Sequence, residues 1–262
     1  MQVRLTLVDA ACVLLELGAL RVVTDPVLDA PGRLYHHGWG AASRKTGSPP
    51  NQVLQGGAEV LLLSHHQHHD NFDAGGRAFA QTVPLVLSTP AAARALPGVV
   101  GLAPWQTYAV ETPLVPGLRV TATPAQHRPG WLPEFLSGPV TGFVLEWEGQ
   151  TDGVLYLTGD TVYFAGIDQV AQRWKIGTLV ANVGSAQFRY LTGPGRFTMN
   201  ARDLLRAVEV LKPARIFPIH HSGWSHFREQ TDALKKALEG VPSFAAKTIW
   251  LEPGRVESEV IE

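Results

Sequence analysis

The apolar run Val60-Leu61-Leu62-Leu63 leads straight into Ser64-His65-His66-Gln67-His68-His69-Asp70-Asn71-Phe72-Asp73. A short apolar run bounded by polar residues predicts a buried strand over 59–63, and Ala74-Gly75-Gly76-Arg77-Ala78-Phe79-Ala80 predicts a helix over about 74–81. Four of the ten histidines fall within five consecutive residues between them. Several imidazoles and a carboxylate at the end of a buried strand are the donors of a first-row metal site.

The rest of the chain is punctuated by strands. Residues 3–8, 12–17 and 20–24 alternate and are rich in β-branched residues and leucine, with Gly18-Ala19 at a tight turn, which predicts an antiparallel meander ending at Asp25-Pro26. Residues 28–56 carry Pro31, Gly32, Gly38, Gly40, Gly47, Pro49 and Pro50 without clean periodicity and are expected to be one long loop. Further strands are predicted at 84–88, twice within 107–123, and at 141–147, 154–158, 177–182, 214–219 and 247–251. Helices are predicted at 90–95, with Thr89 as cap and Pro90 in the first turn, and at about 165–174, 200–211 and 226–239. Pro/Gly-rich loops cover 128–139 and 184–197. Strands first, mixed elements next and αβαβ last suit two sheets packed face to face with helices outside.

Bulk composition narrows the class. A chain of 262 residues, 45% apolar and 17% charged, is long enough for a sizeable core, in one large domain or two small ones, and reads as globular and soluble. A net charge of -1 with scattered basic residues gives no electrostatic case for nucleic acid or an anionic membrane. One cysteine, Cys12, allows no disulfide within the chain. The start Met1-Gln2-Val3-Arg4-Leu5 lacks the pattern of a signal peptide, and no stretch reaches ~18 uninterrupted apolar residues. The expected location is the cytoplasm. The expected partner is a small-molecule substrate, and association with a second copy is left open.

The histidine run is not isolated. His127 follows the strand at 118–123, Asp160 follows the strand at 154–158 in Thr158-Gly159-Asp160-Thr161, and His220 follows the strand at 214–219. Core strand ends do not call for titratable groups, so four such placements point to one converging site. Imidazoles and carboxylates converging on one or two cations, with one coordination position open for water, are the parts of a metal-dependent hydrolase.

These residues resemble the metallo-β-lactamase fold superfamily. Its first motif is H-x-H-x-D-H after an apolar strand, followed by a lone histidine, an aspartate in a Gly-Asp pair and a last histidine after a strand. The counterparts are the 65–71 cluster, His127, Gly159-Asp160 and His220. The hairpin with Thr24-Asp25-Pro26 is similar to the branch of ascorbate-6-phosphate lactonase-like hydrolases. The resemblance runs from residue 3 to about 251 and implies a single domain, 1–262, with an α/β fold, a four-layer αβ/βα sandwich. It also implies hydrolysis by metal-bound hydroxide of a small ester, lactone or phosphodiester.

The metal shell it implies is His65 or His66, with His68, Asp70, His127, Asp160 and His220, and Asp70 and Asp160 are also the catalytic carboxylates. The first motif departs from the family pattern. Counting from His66 gives H-x-H-x-D-N, whereas counting from His65, which follows Ser64 as the family's first histidine follows Ser or Thr, needs one extra residue before Asp70. In both registers Asn71 stands where the second-metal histidine belongs. Neutral Asn is a poorer zinc ligand than imidazole, so zinc as one or two ions, or manganese or iron, all fit the pattern. His66 or His69 is a candidate to fill the gap. Of His220 and His221, strand alternation lets one reach the metal, and position favours His220.

Asp25 is read equally as a turn residue or as a partner holding a ligand histidine in its tautomer, and His226 as the start of a helix or a substrate contact. His36, His37, Trp39, Trp105 and Trp131 are read first as packing residues and second as a pocket rim. Two rival readings remain: a metal-binding protein without turnover, and a di-iron redox site. The redox variant usually replaces a motif histidine with Glu, and residues 65–71 hold none.

Overall fold

The computed structural model of the chain describes residues 1–260. Strands β1 (Gln2–Asp9), β2 (Cys12–Leu17) and β3 (Leu20–Thr24) form the predicted antiparallel meander. A short hairpin, β4 (Leu34–Gly38) and β5 (Ala41–Arg44), stands apart. Then come β6 (Val60–Leu62), helix α1 (Ala74–Ala80), β7 (Leu85–Ser88), α2 (Pro90–Ala95) and β8 (Val99–Gly101). The second half holds β9 (Thr107–Ala109), β10 (Arg119–Pro124), β11 (Thr141–Glu146), β12 (Val154–Leu157), α3 (Ala165–Arg173) and β13 (Ile176–Asn182). It closes with α4 (Arg189–Thr192), α5 (Ala201–Leu211), β14 (Arg215–Ile219), α6 (Thr231–Leu238), α7 (Pro242–Ala245) and β15 (Val256–Val260).

One sheet runs β15-β1-β2-β3-β6-β7-β8 and the other β14-β13-β12-β11-β10-β9. Period-2 alternation sorts their side chains into layers. Leu5, Leu15 and Leu62 of the first sheet meet Val120, Phe143 and Leu157 of the second in the central core. Leu14, Leu61 and Leu63 point the other way and pack with Phe72 and Phe79 beneath α1. Tyr156 and Leu179 of the second sheet pack against Leu204, Ala207 and Leu211 of α5 and Leu234 of α6. The layers are therefore helix, sheet, sheet, helix, the αβ/βα sandwich the motifs imply.

Local chemistry places the helices. Thr89 caps α2 by accepting from Ala92 N–H, with Pro90 in the first turn, and Asn200 caps α5 by accepting from Asp203 N–H. Asp73 caps α1 and also accepts from the backbone N–H groups of Leu28 and Asp29. It thereby ties the segment after β3 to the metal-motif turn.

Three expectations need correction. Residues 28–56 are not one loop, because β4 and β5 pair around Trp39 (φ 52°) and Gly40 (φ 81°). Positive φ at both central residues is a type I′ hairpin turn, and the sequence signal is weak because an indole occupies a position that favours Asn or Gly. The last strand is not 247–251. That stretch makes one bridge, Ile216 to Thr248, and the edge is β15, which pairs antiparallel to β1. The helix expected from 226 starts at Thr231, since His226 and Phe227 are buried elsewhere. Strand β8 and helix α7 carried no sequence signal long enough to read.

Cys12, the first residue of β2, is fully buried, and burial pushes its thiol well above the ordinary range. Among the described residues no helix is long and apolar enough to cross a membrane.

Candidate metal centre

Four loops leaving β6, β10, β12 and β14 bring the singled-out side chains together. His65 Nε2 and His127 Nε2 each lie 3.1 Å from His68 Nδ1. Three imidazoles around a tetrahedral zinc with ~2.0–2.1 Å bonds have nitrogens roughly 3.3 Å apart, so this spacing suits a shared cation. Two of the rings are aimed from behind. His127 Nδ1 donates to the Phe197 carbonyl (2.9 Å), which leaves the Nε2 lone pair for the centre. His65 Nδ1 pairs with Ser64 Oγ (2.8 Å), and Ser64 N–H donates to Asp25 Oδ1 (2.7 Å). Asp25 is buried, and that burial raises its pKa to about 8 against the opposing hydrogen bond from Ser64.

A second triad lies beside the first: Asp70, Asp160 and His220. His220 Nε2 is 3.6 Å from Asp70 Oδ2 and 3.6 Å from Asp160 Oδ2. Asn182 Nδ2 donates to Asp160 Oδ1 (2.8 Å), which turns Oδ2 inward. Asp160 Oδ2 and His220 Nε2 are both buried and have no hydrogen-bond partner. Buried orphans of this kind cost roughly 1–3 kcal/mol each, so a pair of them aimed at one space fits a cation that would satisfy both. Burial works against charge on His220, yet Asp160 and Asp70 hold its pKa up at about 9. The backbone pays a cost too, since His220 has φ 62°. Gly184 makes this possible, because a Cβ there would sit 2.3 Å from the His220 carbonyl oxygen.

The histidine run divides. His65 and His68 face the centre, with Gln67 and His66 looped out between them. Gln67 Nε2 is spent on the Ser137 carbonyl (3.0 Å), and the His66 carbonyl accepts from Arg77 (2.6 Å). His66 belongs to neither triad. His69 packs on Tyr35 (5.1 Å between ring centres) and also stays outside them. Neither ring fills the position left by Asn71. Asn71 is fully buried and neither end of its amide has a hydrogen-bond partner. His221 turns away to Thr231 Oγ1 (2.9 Å) and the Pro218 carbonyl.

Two other imidazoles address Asp70. His226 Nε2 lies 3.0 Å from Asp70 Oδ2, and the His226 ring stacks on Phe188 at 8° and 5.1 Å. His37 Nδ1 is 3.9 Å from Asp70 Oδ1, while its Nε2 pairs with Ser43 Oγ (2.7 Å). Burial lowers the His37 pKa to about 4. His37 reaches the centre because the β4–β5 hairpin folds over it. The sequence hides this role, since its one signal is the Gly38-Trp39-Gly40 turn. Above the triads is a cavity of about 260 Å³, lined in part by Trp39, Phe188 and Phe197. Trp105 is remote, stacked on Trp174, and Trp131 is largely exposed.

A four-layer sandwich whose strand-end loops carry two adjacent donor triads defines a metallo-β-lactamase-like protein. The chain belongs to the β-lactamase superfamily: the family model described as "Beta-lactamase superfamily domain" matches residues 20–221. It is 30% identical over 143 residues to a metal-dependent hydrolase of Pelotomaculum thermopropionicum, an alignment spanning 53% of this chain and 56% of the relative. The chain thus spans little more than half the length of that relative. Another metal-dependent hydrolase, from Pyrobaculum arsenaticum, is 24% identical over 258 residues, covering 94% of this chain and 95% of the relative. Among solved structures, the isothiocyanate hydrolase from Delia radicum gut bacteria superposes with a TM-score of 0.79 at 22% identity over 99% of this chain and 100% of that one.

Proposed function

We propose that the chain is a hydrolase that uses two divalent cations, one at His65/His68/His127 and one at Asp70/Asp160/His220, to cleave a small ester, lactone or phosphodiester. The observation that carries this reading is the pair of buried orphans, Asp160 Oδ2 and His220 Nε2, facing Asp70 next to three convergent imidazoles. Cations bound there would lower the pKa of a water toward ~7 and polarise the substrate's carbonyl or phosphoryl oxygen. The protein's own residues do the rest. The Phe197 carbonyl fixes the tautomer of His127, and Ser64 Oγ holds the His65 ring in place. His226 holds Asp70 in one orientation. Asp70 and Asp160 are the carboxylates in reach of a proton from the attacking water.

Three imidazoles suit zinc, whereas two carboxylates with one imidazole also suit manganese or iron. Asn71 removes an imidazole from the second set and biases it toward harder ions. A single, buried thiol accords with a cytoplasmic location.

Stripping the protein with chelator and restoring zinc, manganese or iron tests the reading against a panel of aryl esters, lactones, a phosphodiester and an aryl isothiocyanate. The expected result is turnover that is lost on stripping and regained with metal. Metal uptake without turnover of any member would instead support a metal-binding protein that has lost catalysis.

A further inference from the structure

From the cavity over the two triads, we infer that the substrate is uncharged, with an aryl or alkyl tail as its non-reacting part. This inference rests on the hydrolase reading and narrows it to esters and lactones of apolar acids. The floor of the cavity is His68, Asp70 and His127, with His37 and His226 beside them. The walls are Trp39, Leu132, Leu136, Phe188, Leu191 and Phe197. Among the described residues lining it there is no lysine or arginine.

The arginines flanking the lining residues His127 and Phe188 each turn a donor to a neutral acceptor of their own segment. Arg128 Nη1 donates to the Leu132 carbonyl (2.7 Å), and Arg189 Nε donates to Gln187 Oε1 (3.1 Å). A phosphate or carboxylate on the tail would leave water for aromatic and leucine side chains with no lysine or arginine among them, which is unfavourable. An apolar tail would gain the same surfaces. The cavity's 260 Å³ lies below the ~300–1,000 Å³ of pockets for drug-sized ligands, which sets a tail of one ring or a short alkyl chain.

The walls come from three separate segments. The β4–β5 hairpin gives Trp39, the 128–139 loop gives Leu132 and Leu136, and the stretch through α4 gives Phe188, Leu191 and Phe197. The arrangement is not an accident of one apolar loop. The hairpin is tied to α4 by Tyr190, whose Oη accepts from Ala42 N–H (2.9 Å). In the reaction, water oxygen bonds to the acyl carbon and the acyl–oxygen bond breaks. The alcohol leaves with one proton, and the acid leaves as carboxylate with release of the other.

The test uses the zinc-loaded full chain and four phenyl esters: acetate, butyrate, hexanoate and the mono-ester of adipic acid, which matches hexanoate in length but ends in a carboxylate. The expected kcat/KM rises about fourfold per added methylene. The adipate mono-ester falls at least a hundredfold below hexanoate. Leu136→Arg, at a half-buried wall position, should shrink that hexanoate-to-adipate ratio tenfold or more. A profile flat in chain length, or a preference for the anionic ester or the phosphodiester, would overturn the inference while leaving hydrolysis intact. If no ester turns over, calorimetric binding of trifluoromethyl ketones with methyl, butyl and phenethyl tails still decides. Affinity rising with the tail supports the apolar site although the hydrolase reading has failed, and affinity independent of the tail refutes it.

Discussion

Replacing His68 with alanine removes the cation from the first triad and lowers hydrolysis by roughly a thousandfold or more. Its Nδ1 is the vertex that lies 3.1 Å from both His65 and His127, so the variant leaves two donors that no longer share a third. A metal centre that supplies several kcal/mol of transition-state stabilisation is worth about three powers of ten in rate. The loss should also appear without any assay of turnover. Cations at ~1,000 times their dissociation constant stabilise a folded chain by about 4 kcal/mol, which for a chain of this length is a Tm gain on the order of 10 °C. In His68→Ala that zinc-dependent gain should fall by half or more, and elemental analysis should find one equivalent fewer. Wild-type metal content with wild-type rate in this variant would refute the assignment of the first triad.

Replacing Lys45 with methionine should cost about 3–5 kcal/mol of stability, because it leaves the Asp9 carboxylate buried without its partner. Lys45 is fully buried and its Nζ pairs with Asp9 Oδ2, while the ring of Trp224 lies 5.4 Å from the same ammonium. The pair sits between two close-approaching glycines, since a Cβ at Gly47 or at Gly223 would come within 2.3 Å of the Asp9 carboxylate. Lys45 also bridges to Trp224 through the backbone. The pair therefore locks the segment after the β4–β5 hairpin to the end of β1, while backbone bonds from Thr46 and Gly47 to the Gly223 carbonyl hold it to the turn that follows His220. Thermal unfolding should show a Tm lower by roughly 6–20 °C. The double variant Asp9→Leu/Lys45→Met should recover much of the loss, since removing both charges avoids the unpaired carboxylate. A single variant within 1 kcal/mol of the parent would contradict this role.

Much of the sandwich is legible in the sequence because its strands are apolar, either as unbroken runs between turn residues or in period-2 alternation. The meander, β6 and the strands of the second sheet stand where the alternation predicts. Short elements governed by tertiary contact escape it. Strand β15 carries Glu257, Ser258 and Glu259, a polar pattern that pairs because the edge of β1 is open to it. The β4–β5 hairpin is invisible for a similar reason, and with it goes the reach of His37 to Asp70.

Within the candidate site, the triad residues are legible because each follows a strand. The register is not. His66 fits the H-x-H-x-D spacing and His65 the position after Ser64, and only the turn through Gln67, fixed by its bonds to Ser137 and Pro139, shows which ring meets His68. The apolar walls are illegible as well. Phe188, Leu191 and Phe197 lie in segments without periodicity and gain meaning only when the chain folds them over the triads.

The most direct measurement is a calorimetric zinc titration of the chelator-stripped protein beside its Asp160→Ala variant. The wild type should take up two equivalents per chain, and Asp160→Ala, which loses the carboxylate oxygen left without a partner opposite His220, should take up one. A wild type that binds a single equivalent, or a variant that still binds two, would contradict a centre built from two adjacent triads.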